Sequence, residues 1–397
     1  MEAGVAKASR DSDGQITDEA LAQLRARIGQ RMVPRSRPWN TTVNVDSVFH
    51  FTQGIGDGNP LWRDDDYARG TRWGQLLAPP TYLLSSYGRD QFGLPGVHGF
   101  WAGDDWHWHR QLVMGDQIRG TVELIDVADK PGEFAGRLVI QTSRITFTNQ
   151  RDELLAECDR WIIRTERKKG REGRKYSTLE KRRWSDAEIE AIAAEYANGR
   201  RRGATPRLWS DTRVGEALDP MLKGPLTVTE EAAFFAGAGS EFIKASGVAW
   251  DYFRRHPRAA VRDGETNTLD FPIRVHWDDE WARRVGVPAA YDDAGQRIAW
   301  MGNLVTDWMG DDAVLKRLRV ELRRFVIMGD LIRFTGAVTR KWVEHGEHLV
   351  ELEIRGTSQR GEVVCPGLAV VALPPGKVDA AGAAVAAAAS AAGPGAA

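Results

Sequence analysis

The segment RQLVMGDQIR (residues 110–119) recurs as RFVIMGDLIR (residues 324–333), at a numbering offset of 214. The same offset relates WRDDDYAR (residues 62–69) to HWDDEWAR (residues 276–283), so no net insertion separates the two segments within either copy. Two repeated segments with one common spacing indicate that the chain consists of two related structural units in tandem.

Three segments with alternating apolar and polar residues follow each Met-Gly-Asp sequence. In the first copy they span residues 117–127, 137–149 and 153–164, and in the second copy residues 331–344, 348–358 and 362–373. A period of two places successive side chains on opposite faces of an extended chain, so each segment is predicted to be a strand. Each half is therefore expected to contain three antiparallel strands.

One helix is predicted ahead of the strands in each half. In the second half, apolar residues at spacings of three and four form one helix face: Ile298, Met301, Leu304, Val305 and Trp308. In the first half the helix is expected to begin at Pro80, because Pro is tolerated in the first turn. A central helix wrapped by an antiparallel sheet, present twice, is an α+β double hot dog.

The chain is predicted to consist of five segments. Residues 1–18 are polar and residues 377–397 are mostly Ala and Gly, so both ends are expected to be disordered. The two hot dog halves are assigned to residues 19–165 and 216–376. A basic connector at residues 166–215 separates them.

The connector contains one predicted helix. Ser185 and Glu188 have the spacing of a capping box, in which each side chain accepts a hydrogen bond from the backbone amide of the other residue. The helix is expected to extend to about Ala197. Such a basic connector is usually a solvated surface, and contact with a phosphate-bearing ligand is the alternative.

The charge balance and the cysteines restrict the class of partner and the compartment. Lys and Arg total 54, and Asp and Glu total 55, so the formal net charge of -1 creates no basic field for nucleic acid. No apolar run approaches the roughly 20 residues that span a bilayer, and no signal peptide is recognisable. Cys158 and Cys365 form neither a CxxC pair nor a zinc cluster. A cytoplasmic protein without a membrane partner is expected.

The segment FTQGIGDGNPLWRD (residues 51–64) resembles the signature of MaoC-type, or R-specific, enoyl-CoA hydratases. In that signature Asp-x-Asn-Pro-Leu-His is followed by acidic residues, and Asp57 and Asn59 match its polar positions. Trp62 stands where the signature has His. The same sequence is also a good turn, so a purely structural role for Asp57 is the alternative.

Two further resemblances extend over the rest of the chain. APPT (residues 78–81) and GDDWHWH (residues 103–109) resemble the FAS1-type dehydratase half of fused enzymes, and IRVHWD (residues 273–278) resembles mesaconyl-CoA hydratase and related fused hydratases. These resemblances imply a hydratase or dehydratase that acts on the α,β double bond of an acyl-CoA or acyl-carrier thioester. They imply no metal and no cofactor, because CoA is part of the substrate.

Hydration of an α,β-unsaturated thioester requires a base for the water, an acid for the α-carbon and a donor for the thioester oxygen. A carboxylate and an imidazole can share the proton transfers. Backbone amides at the start of a buried helix can hold the oxygen. The resemblance and these requirements select four candidate catalytic residues: Asp57, Asn59, His276 and Asp278.

The carboxylate and the imidazole of the signature lie in different halves. The offset of 214 aligns Trp62 with His276, so neither half has both groups. If GAGS (residues 237–240) is aligned with GIGD (residues 54–57) instead, the second half has about 31 extra residues after Ser240 and a Ser in place of the Asp.

Three hypotheses follow for the location of the site. A second-half site around His276, with Asp278 or another carboxylate as partner, is favoured. A first-half site around Asp57 would take its acid from the first-half histidines: His98, His107 or His109. A single site that combines Asp57 with His276 is least favoured, because the pockets of paired hot dogs are well separated.

Several residues are assigned to substrate binding. Trp62, beside the signature, is expected to wall and narrow the acyl pocket, which favours a bulky or aromatic acyl group. The other residues assigned to substrate binding are Trp73, Gly74, His98, Arg274 and Trp300. His107 and His109 have a spacing that can bind a metal, but without a third ligand a structural role is favoured.

Two other functions also fit the sequence. Hot dog folds include thioesterases, although the Asp-x-Asn-Pro-Leu segment favours a hydratase. A non-catalytic acyl-thioester-binding protein, or a partner subunit of an active hydratase, would explain the split of the carboxylate and the imidazole. Two fused halves imitate a dimer, so both a monomer and a homodimer are compatible with the sequence.

Overall fold

A computed structural model of the chain describes residues 14–32, 34, 36–87, 93–94, 97–132, 136–166 and 179–376. The strands are β1 (Arg31–Met32), β2 (Leu77–Ala78), β3 (His98–Trp108), β4 (Leu112–Val113), β5 (Arg119–Gly132), β6 (Gly136–Thr148), β7 (Leu154–Thr165), β8 (Met221–Lys223), β9 (Val261–Arg262), β10 (Leu269–Asp270), β11 (Val314–Glu321), β12 (Ile332–Glu344), β13 (Glu347–Ser358) and β14 (Val363–Leu373). Disorder was predicted for residues 1–18 and 377–397, of which residues 1–13 and 377–397 lie outside the described ranges. Residues 14–18 are described and belong to the folded first half, because Ile16 is buried and donates its backbone amide to Glu166, and Thr17 caps the helix that begins at Asp18.

The described helices precede or connect these strands. They are α1 (Asp18–Arg25), α2 (Val45–Gly54), α3 (Pro60–Arg63), α4 (Asp65–Arg69), α5 (Asp186–Ala197), α6 (Val228–Ala238), α7 (Ser246–Arg255), α8 (Asp279–Arg284) and α9 (Ala294–Met309), with 3-10 helices at Pro80–Ser85, Pro257–Ala259 and Pro272–His276. Within the described ranges, no helix combines the length and the apolar character that crossing a bilayer requires.

Ten strands form one antiparallel sheet. Their order is β1-β5-β6-β7-β3 from the first half, followed by β11-β14-β13-β12-β8 from the second half. The six predicted strands are confirmed as β5, β6, β7, β12, β13 and β14. The sequence pattern did not reveal β3 and β11, because β3 contains two buried carboxylates, Asp104 and Asp105, whose arginine partners lie on neighbouring strands.

The two halves meet where β3 pairs with β11. In this pairing Asp105 lies opposite Arg319, and these two residues are themselves related by the repeat offset of 214. In a dimer of identical units the same residue would face itself, with like charges opposed. Arg317 also donates two hydrogen bonds to Asp105, at 2.8 and 2.6 Å. Divergence of the two copies has therefore made this junction electrostatically favourable.

The central helix is long only in the second half. Helix α9 is almost entirely buried and lies against the sheet, as the apolar spacing predicted. The corresponding first-half segment after Pro79 is a six-residue 3-10 helix, Pro80–Ser85, rather than an α-helix of similar length. Ser85 Oγ donates to the Tyr82 carbonyl at 2.7 Å, and such local bonds compete with α-helical pairing.

Helices α2 and α6 are equivalent elements of the two halves. Both begin with a capping box, at Asn44 and Thr227, which gives a numbering offset of 183. The helices pack closely at Gly54 and Gly237, which are related by the same offset. A Cβ on Gly54 would lie 2.6 Å from the carbonyl oxygen of Ala233, and a Cβ on Gly237 would collide with the carbonyl oxygen of His50. The alignment of residues 54–57 with residues 237–240 is thus confirmed.

The second half carries an insertion between α6 and α8. The numbering offset is 183 where α6 matches α2, and it rises to 214 where α8 matches α4. This insertion contains α7 and the β9–β10 hairpin. In the connector, the predicted helix is confirmed as α5, and its capping box is formed by Ser185 and Glu188.

Candidate functional site

His276 lies at the end of the 3-10 helix Pro272–His276 and is 9% exposed. Its ring packs between those of Phe235 and Tyr291, at centroid distances of 5.4 and 5.0 Å. Nδ1 lies 2.8 Å from the Tyr291 carbonyl oxygen. A carbonyl only accepts hydrogen bonds, so Nδ1 carries the proton, and Nε2 of the neutral ring keeps the lone pair that can accept a proton.

Among the described residues, the carboxylate nearest to His276 Nε2 belongs to Asp293. Its Oδ2 lies 3.9 Å from His276 Nε2, a separation that one bridging water spans. Burial lowers the pKa of His276, and the negative charge of Asp293 partly opposes this change. The imidazole is therefore neutral at neutral pH and can accept a proton.

Asp293 also fixes the start of the central helix. It is the N-cap of α9, and its Oδ1 accepts a hydrogen bond from the backbone amide of Gly295 at 2.8 Å. The first turn of a helix has amides without intrahelical partners, and the helix dipole is positive there. The site thus places a base, a carboxylate and potential oxyanion donors at one end of α9.

Two further carboxyl groups are buried beside this helix end. Glu231, on α6, is 0% exposed, and burial together with the charges of Asp292 and Asp293 raises its pKa well above the usual range. Burial also raises the pKa of Asp292 to about 7, although Arg297 Nε lies 2.6 Å from its Oδ2. The second half thus concentrates titratable groups in its core.

The first half supplies one wall of this region. A Cβ placed on Gly295 would lie 3.3 Å from the Phe234 ring and 3.4 Å from the ring of Trp101, which belongs to β3. The Trp101 indole donates to Asp104 at 2.7 Å, which holds the ring in place. Aromatic rings from both halves therefore surround the start of α9.

The equivalent place in the first half has a different chemistry. Trp62 Nε1 donates to Asp57 Oδ2 at 3.0 Å, and the backbone amide of Asn59 donates to the other oxygen, Oδ1, at 2.9 Å. Asn59 in turn caps α3 by accepting from the amide of Leu61 at 3.0 Å. An indole N–H is a donor only, so Trp62 cannot exchange a proton as His does. Asp57 is buried and hydrogen-bonded on both oxygens.

A charged network links Asp57 to the second half. Arg201 Nη2 lies 3.6 Å from Asp57 Oδ1, and Arg201 Nε donates to Asp307 at 2.5 Å. Burial and the charge of Asp57 raise the pKa of Asp307 to about 6. Lys223 Nζ donates to the carbonyls of Ile55 and Gly56 and to Asn303 Oδ1, and burial lowers its pKa to about 8. Every donor of this ammonium group is occupied, which is typical of a structural lysine.

The structure places Asp278 and Arg274 away from the His276 nitrogens. Asp278 caps α8 through the amide of Trp281 at 2.9 Å, and its other oxygen accepts from Arg274. Arg274 also donates to Asp263, in the insertion, at 2.9 Å. These contacts leave Asp293, rather than Asp278, as the carboxylate that faces His276.

The predicted substrate-binding residues lie in several places. Trp62 and Trp73 line one crevice between the two halves, whose other wall is formed by second-half residues from Thr306 to Ala313, and the Trp73 indole donates to the Asp311 carbonyl at 2.8 Å. Gly74 follows with a φ of +66°. Trp300 is buried and packs on Phe334, and the backbone of His98 opens β3 opposite Thr165.

The other first-half histidines are bound to acidic neighbours. His107 Nε2 lies 3.4 Å from Asp105, and His109 Nε2 lies 3.4 Å from Glu157, both at the surface. Among the described residues, no group of three or more His, Cys, Asp or Glu side chains has the arrangement of a metal site. Both histidines thus lie at the surface beside acidic residues.

Sequence reasoning did not identify Glu231, Asp292 or Asp293. The structural offsets reveal them, because Glu231 occupies the position of Val48 and Asp292 that of Ala78. Val48 and Ala78 are buried apolar residues. Glu231 and Asp292 could have been identified as carboxyl groups at positions where the first half has a buried apolar residue.

Comparison with known proteins gives the family. A model of the FAS1-like, dehydratase domain region matches residues 26–158. A UPF0336 protein of Parafrankia sp. is 32% identical over 129 residues, which are 29% of this chain and 78% of that protein. The chain belongs to the FAS1-like dehydratase family. A probable enoyl-CoA hydratase alpha subunit of Thermomonospora curvata is 27% identical over 163 residues, which are 36% of this chain and half of that relative.

Solved structures confirm the fold of this FAS1-like dehydratase-family chain. A MaoC-like dehydratase superposes with a TM-score of 0.60 at 17% identity, over 89% of this chain and 99% of that one. A conserved hypothetical protein from Mycobacterium tuberculosis with a double hotdog fold gives a TM-score of 0.53 at 11% identity, over 87% of this chain and 96% of that one. The predicted double hot dog and its likeness to MaoC-like dehydratases are both confirmed.

Proposed function

We propose that this dehydratase-family chain adds water to, or removes water from, the α,β double bond of an acyl-CoA or acyl-carrier thioester, and that its second half performs the reaction. The observation that carries the proposal is the orientation of His276. Its Nδ1 donates to the Tyr291 carbonyl, so the basic Nε2 faces Asp293 at the start of the central helix. The matching first-half residue is Trp62, whose indole donates a hydrogen bond to Asp57.

The chemistry assigned to His276 is proton removal from water. As the water attacks the β-carbon, the imidazole accepts a proton and becomes positively charged, and Asp293 stabilises that charge. First-turn amides of α9 other than those of Gly295 and Gln296, which are bonded to Asp293, stabilise the charge that develops on the thioester oxygen. Dehydration uses the same groups in reverse. In this proposal no metal ion or cofactor takes part, and the CoA or carrier arm enters as part of the substrate.

The surroundings of the site support a flat or bulky acyl group. The rings of Phe235 and Tyr291 enclose His276, and Phe234 and Trp101 close around Gly295. Aromatic walls favour an aromatic or branched acyl chain over a short linear one. Because the second half already pairs with the first through the sheet, the proposed working unit is one chain or a homodimer of it.

A panel of aliphatic and aromatic 2-enoyl-CoA thioesters tests the proposal. Hydration is followed as loss of the enoyl absorbance, and free thiol is measured in parallel to detect hydrolysis. The purified chain is expected to hydrate at least one aromatic or branched member without releasing thiol. His276→Ala should lose 10²–10⁴-fold of the rate, whereas His109→Ala, at the surface, should retain it. Thiol release would indicate a thioesterase, and inertness on the whole panel would favour the non-catalytic role.

A further inference from the structure

Glu231 occupies an apolar position of a helix that packs into the core. The buried face of α6 consists of Glu231, Phe234, Phe235 and Ala238, a spacing of three and four residues that normally selects apolar side chains. At the equivalent position of α2, given by the offset of 183, stands Val48, which is also fully buried. One of two related helices has thus acquired a carboxyl group in its core-facing stripe.

This carboxyl group is not held by ordinary hydrogen bonds. Among the described residues, neither oxygen of Glu231 has a hydrogen-bond partner with standard geometry. A buried carboxylate without partners is costly, and the group reduces this cost by remaining protonated. The titratable groups that act on it are Glu230 on the same helix and Asp292 and Asp293 before α9, and their negative charges favour the same protonated form. The nearby backbone amide of Asp293 acts in the opposite direction, but burial is the larger effect.

The other acidic groups of the region have assigned partners. Asp293 caps α9 and faces His276. Asp292, like Glu231, has no hydrogen-bond partner with standard geometry among the described residues, but it lies 2.6 Å from Arg297 Nε, and that positive charge opposes its protonation. Hydration needs two proton-transfer groups, a base and an acid, and His276 fills only the first role. Among the described residues, Glu231 is therefore the carboxyl group near this helix end that has neither a cationic partner nor a capping role.

We infer that Glu231 is the proton donor of the second-half site and delivers a proton to the α-carbon of the substrate. The inference rests on the proposed function. An O–H bond of water breaks, its proton binds His276 Nε2, and the oxygen bonds to the β-carbon. The π electrons of the double bond move to the α-carbon, which takes the proton from Glu231. The imidazolium proton then returns to the Glu231 carboxylate through water or Asp293, so no net proton is consumed.

The test compares Glu231→Gln, which keeps the shape and removes the proton, with Glu231→Val, which copies the first half. Glu190→Gln, at an exposed position of α5, is the matched control. With any hydrated member of the enoyl-CoA panel, both Glu231 variants are expected to lose 10²–10⁴-fold in kcat with KM within about threefold of the parent. The parent rate of hydration should fall at high pH as Glu231 ionises, and Glu231→Gln should lack this alkaline limb.

A readout independent of turnover separates this inference from the proposed function. The infrared carbonyl band of protonated carboxylic acids should be present in the parent at pH 7 and should be weaker in Glu231→Gln by the contribution of one group, because Asp292 and Asp307 also have raised pKa values. An active parent together with a Glu231→Gln variant that keeps its rate within threefold, or lacks any change in that band, would overturn the role of Glu231 and leave the hydratase in place. An inert parent that still shows the band would instead refute the proposed function, and with it the catalytic role inferred for Glu231.

Discussion

The two halves of the molecule share one scaffold and differ in what they bury. At equivalent positions the first half has Trp62 where the second has His276, and Val48 where the second has Glu231. The strands that join the halves keep a symmetric register, and helices α2 and α6 still contact each other through equivalent glycines. The register of the joining strands and the contact of α2 with α6 have thus remained common to both copies, whereas the polar content of the two cores has diverged.

The half that matches the family model is not the half to which the reaction is assigned. The family model matches residues 26–158, which lie in the first half, yet His276, the proposed base, lies in the second half. In the first half Asp57 retains its place in the hydratase-like segment but is bound to an indole. We therefore expect the first half to support the fold and the second half to carry the reaction.

The largest effect that would sharpen this comparison is expected at Asp293. Asp293→Asn should lower kcat about 100-fold, because the neutral amide no longer stabilises the imidazolium of His276. Its stability should change little, since Asn is also a good N-cap. Steady-state kinetics on the hydrated thioester and thermal unfolding measure the two quantities.

Asp278→Asn is the control for that variant, because Asp278 also caps a helix but faces Arg274. It should keep its rate within threefold of the parent. A loss at Asp278 as large as that at Asp293 would return the partner role to Asp278, as the sequence suggested.

A second effect is expected on stability, at the buried lysine between the halves. Lys223→Met should lower the free energy of unfolding by about 2–3 kcal/mol, because it leaves the Ile55 and Gly56 carbonyls and Asn303 without their donor. Asn40 corresponds to Lys223 at the offset of 183, and its side-chain amide donates to one described acceptor, the Gly237 carbonyl, so Asn40→Ala should lower the free energy of unfolding by about 1 kcal/mol. Denaturant unfolding measures both; equal losses would contradict the asymmetry of this network.

Effects smaller than that of Lys223→Met are expected at the pseudo-symmetric glycines. Gly54→Ala and Gly237→Ala should each lower the free energy of unfolding by about 1–2 kcal/mol, because each new Cβ would meet the backbone of the opposite helix. Calorimetric melting of the two variants measures the change. A loss in one variant only would show that the packing of α2 and α6 is not equivalent on its two sides.

The sequence predicted the fold well because repetition and alternation are local patterns. The Met-Gly-Asp repeat corresponds to equivalent turns in which Asp116 and Asp330 accept hydrogen bonds from the amides three residues earlier. The strand β3 was missed because its buried Asp104 and Asp105 are neutralised by arginines from other strands, a compensation that is invisible before the strands are paired.

The candidate site was predicted only in part. His276 followed from its family resemblance, and the tautomer that makes it a base depends on the Tyr291 carbonyl, 15 residues away in sequence. Glu231 lies in a helix that matches α2 at an offset of 183, whereas the main repeat has an offset of 214. The alternative alignment of residues 237–240 with residues 54–57 does pair Glu231 with Val48, but the sequence alone does not show that both positions are buried.

One measurement tests the division of labour between the halves most directly. It compares kcat/KM for the best enoyl-CoA substrate in His276→Gln, which changes the second half, and in Asp57→Asn, which changes the first, after thermal unfolding has shown that both are folded at the assay temperature. We predict that kcat/KM falls at least about 100-fold in His276→Gln and changes less than about threefold in Asp57→Asn. A large loss in Asp57→Asn with an active His276→Gln would place the reaction in the first half and contradict the account.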